Sequence, residues 1–181
     1  MGFRYEFRLS GSGGQGLILA GKILAEAAAI YDGKNATQSQ SYGPEARGGS
    51  SRSEVIVSDE EIDYPKAVNI DLLLCFTQEA CDKYHQDVKE MGILLVDESY
   101  VTKIPKGKYK VYSVPITETA ETKVGKALVA NIVAIGIITQ VTGVISKEAV
   151  EAAILSRVPK GTEDLNLKAF NTGIEMAQQF K

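Results

Sequence analysis

One junction constrains this chain more than any other feature. Gly11-Ser12-Gly13-Gly14-Gln15-Gly16 separates two segments of different periodicity. Before it, Phe3 to Leu9 alternates aromatic and polar residues, the period-two pattern of a strand. After it, Leu17 to Tyr31 is rich in Ala, Leu and Ile, too apolar for an exposed helix, and reads as a mostly buried helix closed by Asp32-Gly33. A strand that bends into a helix across GxGxxG has few folds open to it. The first glycine permits a tight bend, the second lets an anion approach the backbone, and the third lets helix and strand pack closely. The helix N-terminus itself favours negative charge.

The remaining chain repeats this alternation. Asn35 to Ser41 and Ser53 to Ser58 read as strands. Ile70 to Phe76 and Gly92 to Asp97 are continuous apolar runs typical of parallel strands covered on both faces, and Lys110 to Val114 is a further strand. Helices are expected over Gln78 to Glu90, over Thr117 to Val141 with a break near Gly125, over Ser146 to Arg157 stopping before Pro159, and over Asp164 to Phe180. The nearly all-apolar part, Ala127 to Val141, belongs to the core or to an exposed interface. Strands alternating with helices predict an α/β fold: a three-layer, Rossmann-like domain over 1–181 with a mainly parallel sheet, Phe3–Leu9, Ile70–Phe76 and Gly92–Asp97 being central.

A second irregular segment, Gln38 to Arg52, joins two of these strands. Tyr42-Gly43 precedes a proline, and Gly48-Gly49 opens backbone conformations closed to other residues. Arg47 and Arg52 stand among serines and glycines with few carboxylates, so the loop can present guanidinium and bare N–H groups to a phosphate or carboxylate. The plainer alternative pairs Arg47 with Glu45 as a loop brace. For the first loop, the alternative to an anion site is a purely structural turn. A nicotinamide site needs an acidic residue about 20 positions on. Asp32 is near that spacing but sits in a turn rather than at the end of a second strand.

Composition removes several functions. The 181 residues carry 20 Lys and Arg against 23 Asp and Glu, a net −3, so no general attraction to nucleic acid or anionic membrane is expected. No apolar stretch reaches the roughly 18 residues of a membrane span, and the N-terminus lacks a signal-peptide core, so the chain reads as cytoplasmic. Cys75 and Cys81 are the only cysteines. They form no CxxC pair and fall short of the thiolates a cluster takes. Cys75 ends an apolar run and reads as a buried small hydrophobe. His85, the single histidine, reads as a solvated residue of a polar helix. No metal ligands are assigned. No residue is assigned as catalytic either: Tyr109 and Lys110 are adjacent, and neighbours on a strand point to opposite faces.

GSGGQG after the first strand, followed about 25 residues later by QSQSYGPEARGGSSRSEV, resembles the gamma subunits of the 2-oxoacid:ferredoxin oxidoreductases. The likeness extends through DEEIDYP (Asp59 to Pro65), IDLLLCFTQEA, KALVANIVAIG around Asn131 and LNLKAFNTG near Asn166. It is closest to the 2-oxoglutarate branch, with pyruvate, 2-oxoisovalerate and indolepyruvate enzymes as relatives. The resemblance implies a gamma-type domain of a complex that converts a 2-oxoacid, coenzyme A and oxidised ferredoxin into acyl-CoA, carbon dioxide and reduced ferredoxin. It also implies alpha, beta and delta partner subunits that carry thiamine diphosphate, magnesium and iron–sulfur clusters. The isolated chain is then inactive. What remains for it is assembly and a share in coenzyme A binding by Gly11, Ser12, Gly13, Gly14, Gln15, Gly16, Tyr42, Gly43, Arg47, Gly48 and Gly49. The competing expectation is a free-standing Rossmann-type dinucleotide-binding oxidoreductase.

Overall fold

The structure, a computed structural model, describes residues 2–43 and 49–180. Among these residues six strands form one sheet: β1 (Arg4–Ser12), β2 (Asn35–Tyr42), β3 (Ser50–Ser58), β4 (Ile70–Cys75), β5 (Val88–Asp97) and β6 (Lys110–Val114), in the order β2-β3-β1-β4-β5-β6. β1, β4, β5 and β6 run parallel, and β3 pairs antiparallel with both β1 and β2. The sheet is therefore mainly parallel, with an antiparallel hairpin at one edge. β1, β4 and β5 are interior strands as expected, and every residue of β4 is buried, as a strand covered on both faces requires.

The helices are α1 (Leu17–Glu26), α2 (Gln78–Tyr84), α3 (Ile116–Thr119), α4 (Ala130–Thr142), α5 (Lys147–Arg157) and α6 (Glu163–Ala177). Strand residues alternate between two cores. Phe7, Leu9, Leu72 and Leu74 meet Ile23 and Leu24 of α1, Val133 of α4, Ile154 of α5 and Phe170 of α6. Leu73, Cys75, Leu94 and Val96 meet Ala80, Cys81 and Tyr84 of α2 on the opposite face. One face thus carries a full helical layer, and the other carries α2 with flanking loops. Thr77 and Ser146 start α2 and α5 by accepting from the N–H groups of Ala80 and Ala149 at 3.1 Å.

One expectation needs correction, and two are made more definite. The helix expected to reach Glu90 ends at Tyr84, followed by a 3₁₀ turn (His85–Asp87), and the chain enters β5 at Val88. Val88 supplies the reason, since its side chain joins the core beneath α2 and draws the backbone into the sheet. The break near Gly125 is larger than a kink. α3 runs into a π-helical turn (Ala120–Val124), Gly125 takes φ 116°, and a 3₁₀ turn (Ala127–Val129) leads into α4. Finally, α4 is no exposed apolar face: Ala130 through Thr139 are buried within the chain. Its cover is α6, which approaches at Gly136 and Gly173. A Cβ on Gly136 would collide with the Phe170 carbonyl oxygen, and one on Gly173 with that of Val133. Among the described residues no helix is long and apolar enough to cross a membrane.

Candidate functional site at the carboxyl end of the sheet

The glycine loop lies where β1 ends, and its glycines are used differently from the expected pattern. Gly11 is still in the strand. It is bare because the Gln15 side chain folds back over it and accepts the Ser12 N–H through Oε1 at 2.7 Å. The bend itself falls at Gly13-Gly14, with Gly14 at φ 86° and open space beside it, so conformation rather than room demands glycine there. Gly16 caps α1 at φ 73°. A Cβ on Gly16 would strike the Asn131 side chain, whose Nδ2 donates to the Gly16 carbonyl at 3.0 Å. The tight helix–strand approach expected of the third glycine occurs instead at Gly21, packed on Ser53 of β3.

The two loops meet. The Gly13 N–H donates to the Gly49 carbonyl at 2.7 Å, extending the β1–β3 ladder beyond Ser12 and Ser50, and Gly43 N–H donates to Ser50 O at 2.7 Å. Gly11 to Gly16, Tyr42, Gly43 and Gly49 therefore share one end of the sheet, with the Tyr42 side chain 67% exposed. Arg47 and Gly48 lie outside the described residues, as does the proposed Arg47–Glu45 brace. Arg52 is committed elsewhere: its Nε lies 3.0 Å from Glu54 Oε1, and its guanidinium stacks over Tyr84.

Beside the loop opens a cleft of about 270 Å³ lined by Gly14, Gln15, Phe76, Tyr100, Thr117, Ala127, Leu128 and Ala130. Leu128 is 78% exposed at its rim. Asp97, fully buried at the end of β5, fixes one wall by accepting from Thr117 N at 3.0 Å, Thr117 Oγ1 at 2.5 Å and Ser99 N at 3.3 Å. The first turn of α1 carries no acidic residue and no side-chain cap, so no side chain there offsets the positive end of the helix dipole. Sequence reasoning missed Asn131, Asp97 and Thr117 in these roles. Asn131 left one signal, a lone amide in an apolar run; Asp97 and Thr117 left none.

The other polar candidates are structural. Asp32 accepts from Ser146 N at 2.7 Å and Ser146 Oγ at 2.6 Å, at the far end of α1 and about 20 Å from the loop by helix length. It cannot serve as a ribose ligand beside Gly13. The second strand is also separated from β1 by antiparallel β3, against the adjacent parallel strands of a dinucleotide fold. Cys75 and Cys81 are both buried, next to each other. Burial pushes the Cys75 thiol up, and a hydrogen bond from Cys75 pulls the Cys81 thiol down. His85 is not a solvated helix residue: it is half-buried, with Nδ1 3.3 Å from the Tyr109 hydroxyl. Among the described residues no group of three His, Cys, Asp or Glu is placed to hold a metal ion.

Residues 6–176 match the family described as pyruvate ferredoxin/flavodoxin oxidoreductase. This chain belongs to that family. Within it, the 2-oxoglutarate synthase subunit KorC of Methanocaldococcus jannaschii is 54% identical over 178 residues, covering 97% of this chain and 95% of that protein. The keto/oxoacid ferredoxin oxidoreductase gamma subunit from Geobacter sulfurreducens is 59% identical, with a TM-score of 0.87 over 96% of this chain and 98% of that one. Ketoisovalerate oxidoreductase subunit VorA of Methanothermobacter thermautotrophicus is 33% identical across 95% of this chain but only 36% of its own length. In this branch of the ferredoxin oxidoreductase family the chain thus corresponds to whole subunits in some members and to part of a longer subunit in others. The expected resemblance to gamma subunits is borne out, and the free-standing dehydrogenase is not favoured.

Proposed function

We propose that this chain is the gamma subunit of a multi-subunit 2-oxoglutarate:ferredoxin oxidoreductase, with residues 1–181 acting as one gamma-type domain in the cytoplasm. The observation that carries the reading is the end-to-end match to subunit KorC at 54% identity. The complex converts a 2-oxoacid and coenzyme A to acyl-CoA and carbon dioxide while reducing ferredoxin. Thiamine diphosphate supplies the decarboxylation chemistry and iron–sulfur clusters the electron path. We assign both, with magnesium, to the alpha, beta and delta subunits. The residues here do not fit them: the chain has two cysteines, and both sit in the core beneath α2.

Coenzyme A fits this chain better. The cleft has apolar walls, Phe76 and Leu128, and is lined by Gly14 and Gln15 of the loop that leads into α1, whose first turn has no side-chain cap and no acidic residue. Apolar walls suit a pantetheine arm, and N–H groups at a helix start suit phosphate. Asn131 and Asp97 hold the two sides of the cleft in place. Gly11–Gly16 with Tyr42, Gly43, Arg47, Gly48 and Gly49 form the surface we assign to coenzyme A. Co-purification tests the reading. The tagged chain is expected to bring down thiamine- and iron-containing subunits, and that assembly is expected to reduce a viologen dye with 2-oxoglutarate. The chain alone is expected to reduce none. Recovery without such subunits, or activity of the pure chain, overturns it.

A further inference from the structure

The structure assigns an interface to the free edge of β2: we infer that two copies of this chain pair there, β2 against β2, antiparallel about a two-fold axis through Ser39. The inference does not rest on the function above, and the two share only Tyr42, at the end of β2. The Gly43 N–H donates to Ser50 O, which fixes the phase of the β2–β3 ladder. In an antiparallel pair the residues that exchange hydrogen bonds alternate. With Gly43 facing Ser50, the inward residues are Asn35, Thr37, Ser39 and Ser41. Ala36, Gln38, Gln40 and Tyr42 therefore turn their N–H and C=O groups away from the sheet, and β2 is the last strand on that side.

Edges like this are normally protected by lysine, proline, bulges or shortness. β2 has none of these: NATQSQSY is eight residues long, carries no charge and no proline, and keeps an unbroken register with β3. The opposite edge differs. β6 has five residues, one of them Lys110, and Phe180 stacks on its Tyr112 at 4.8 Å.

The occupant that fits is a second copy. About the two-fold, Ala36 faces the partner's Tyr42 and Gln38 faces the partner's Gln40, so every outward backbone group is used. Small meets large, and amide meets amide. On the other face Thr37 meets the partner's Ser41, and Ser39 meets the partner's Ser39. A two-fold axis sets its central residue against itself, which excludes a charge there and suits a serine. The turn Ala27–Tyr31, packed against β2, adds the exposed side chains of Ile30 and Tyr31 beside the seam.

The test uses the full chain and engineered thiols. In a non-hydrogen-bonded pair the Cα atoms lie about 4.5 Å apart, within disulfide reach. Thr37 and the partner's Thr37 are offset by four residues, about 13 Å, and out of reach. Mild oxidation is expected to link Ser39→Cys into a covalent dimer and leave Thr37→Cys unlinked. The unmodified chain is expected to sediment at twice its monomer mass. Gln40→Pro removes an outward N–H and the Gln40 side-chain amide that accepts from Gln38, while the β2–β3 backbone ladder keeps its bonds, so dimer dissociation is expected to rise about tenfold or more with the circular dichroism unchanged. A monomer at every concentration overturns the inference, as does equal cross-linking of both cysteine variants. So does protection of the Gln38 and Gln40 amides by a different subunit alone.

Discussion

Asn131 and Gly16 stand 115 positions apart, yet the Asn131 amide donates to the Gly16 carbonyl at 3.0 Å and fills the space where a side chain on residue 16 would be. Helix α4 and the glycine loop are locked together through this single polar contact in an apolar run. Gly16→Ala is expected to destabilise the chain by about 3 kcal/mol, through φ 73° and the collision with Asn131. Asn131→Ala alone is expected to cost about 1–2 kcal/mol. The double variant is expected to recover part of the sum, because the collision disappears while the strained φ remains. Urea unfolding of the four proteins checks the coupling.

The α4–α6 crossing depends on two absent side chains. Gly173→Ala places a methyl against the Val133 carbonyl, and the helices have to separate to admit it. A loss of about 3 kcal/mol or more is expected, with the urea slope unchanged. A change below about 0.5 kcal/mol would show that the two helices move apart easily.

Period-two and continuous apolar patterns made β1, β4, β5 and β6 legible, because each of these strands faces a core on a side that its own residues declare. The first loop was also legible, since a glycine run has few other uses, but the irregular segment expected over Gln38–Arg52 is strand as far as Tyr42 and again from Ser50, because β2 and β3 pair there as a hairpin. Two things were not legible. Strand order is a tertiary fact: nothing in Ser50–Ser58 announces that it lies between β1 and β2. The partners of polar residues were hidden too. Asp32 looked like a failed ribose ligand until Ser146, 114 positions away, appeared beside it. The helix expected over Gln78–Glu90 failed where Val88 turned inward, a choice set by the core rather than by local propensity.

That assignment of Asp32 gives a simple expectation. Asp32→Ala removes both bonds to Ser146 and is expected to lower stability by about 1–2 kcal/mol, while leaving turnover of the assembled complex unchanged. A raised Michaelis constant for any nucleotide-bearing substrate would return Asp32 to the site. Thermal unfolding and steady-state kinetics on the same preparation separate the two.

Arg47 offers the corresponding test of the second loop. If its guanidinium meets a coenzyme A phosphate, Arg47→Ala is expected to raise the Michaelis constant for coenzyme A by about 10- to 150-fold in the intact complex. Turnover at saturation changes little, since such a contact binds ground and transition states alike. An unchanged constant with a dissociated complex would make Arg47 an assembly residue.

Tyr5 supplies a pH signature. Burial, then the nearby Asp71 carboxylate, push its phenol well above the usual 10.0. A folded value above the unfolded one means that the folded state holds the proton longer. The contribution is complete below about pH 10 and is lost as pH climbs toward the folded value. The urea-derived stability of the chain is expected to fall above about pH 10, and Tyr5→Phe is expected to fall less steeply over that range. Parallel slopes would assign the alkaline loss to other groups.

β1 is bordered by β3 on one side and by β4 on the other, and Phe7 pairs with Val55 and with Leu72. During synthesis these partners arrive in that order. A three-stranded antiparallel unit, β1 with β2 and β3, can form on the ribosome while the other flank of β1 stays bare until Ile70–Cys75 has emerged. Asn131, which closes the glycine loop, emerges later still. The nascent three-stranded unit therefore carries an open sheet flank from the end of β3 at Ser58 until β4 ends at Cys75, next to a loop that stays unfinished until Asn131 arrives, and the order in which the strands are made decides how long that flank needs shielding.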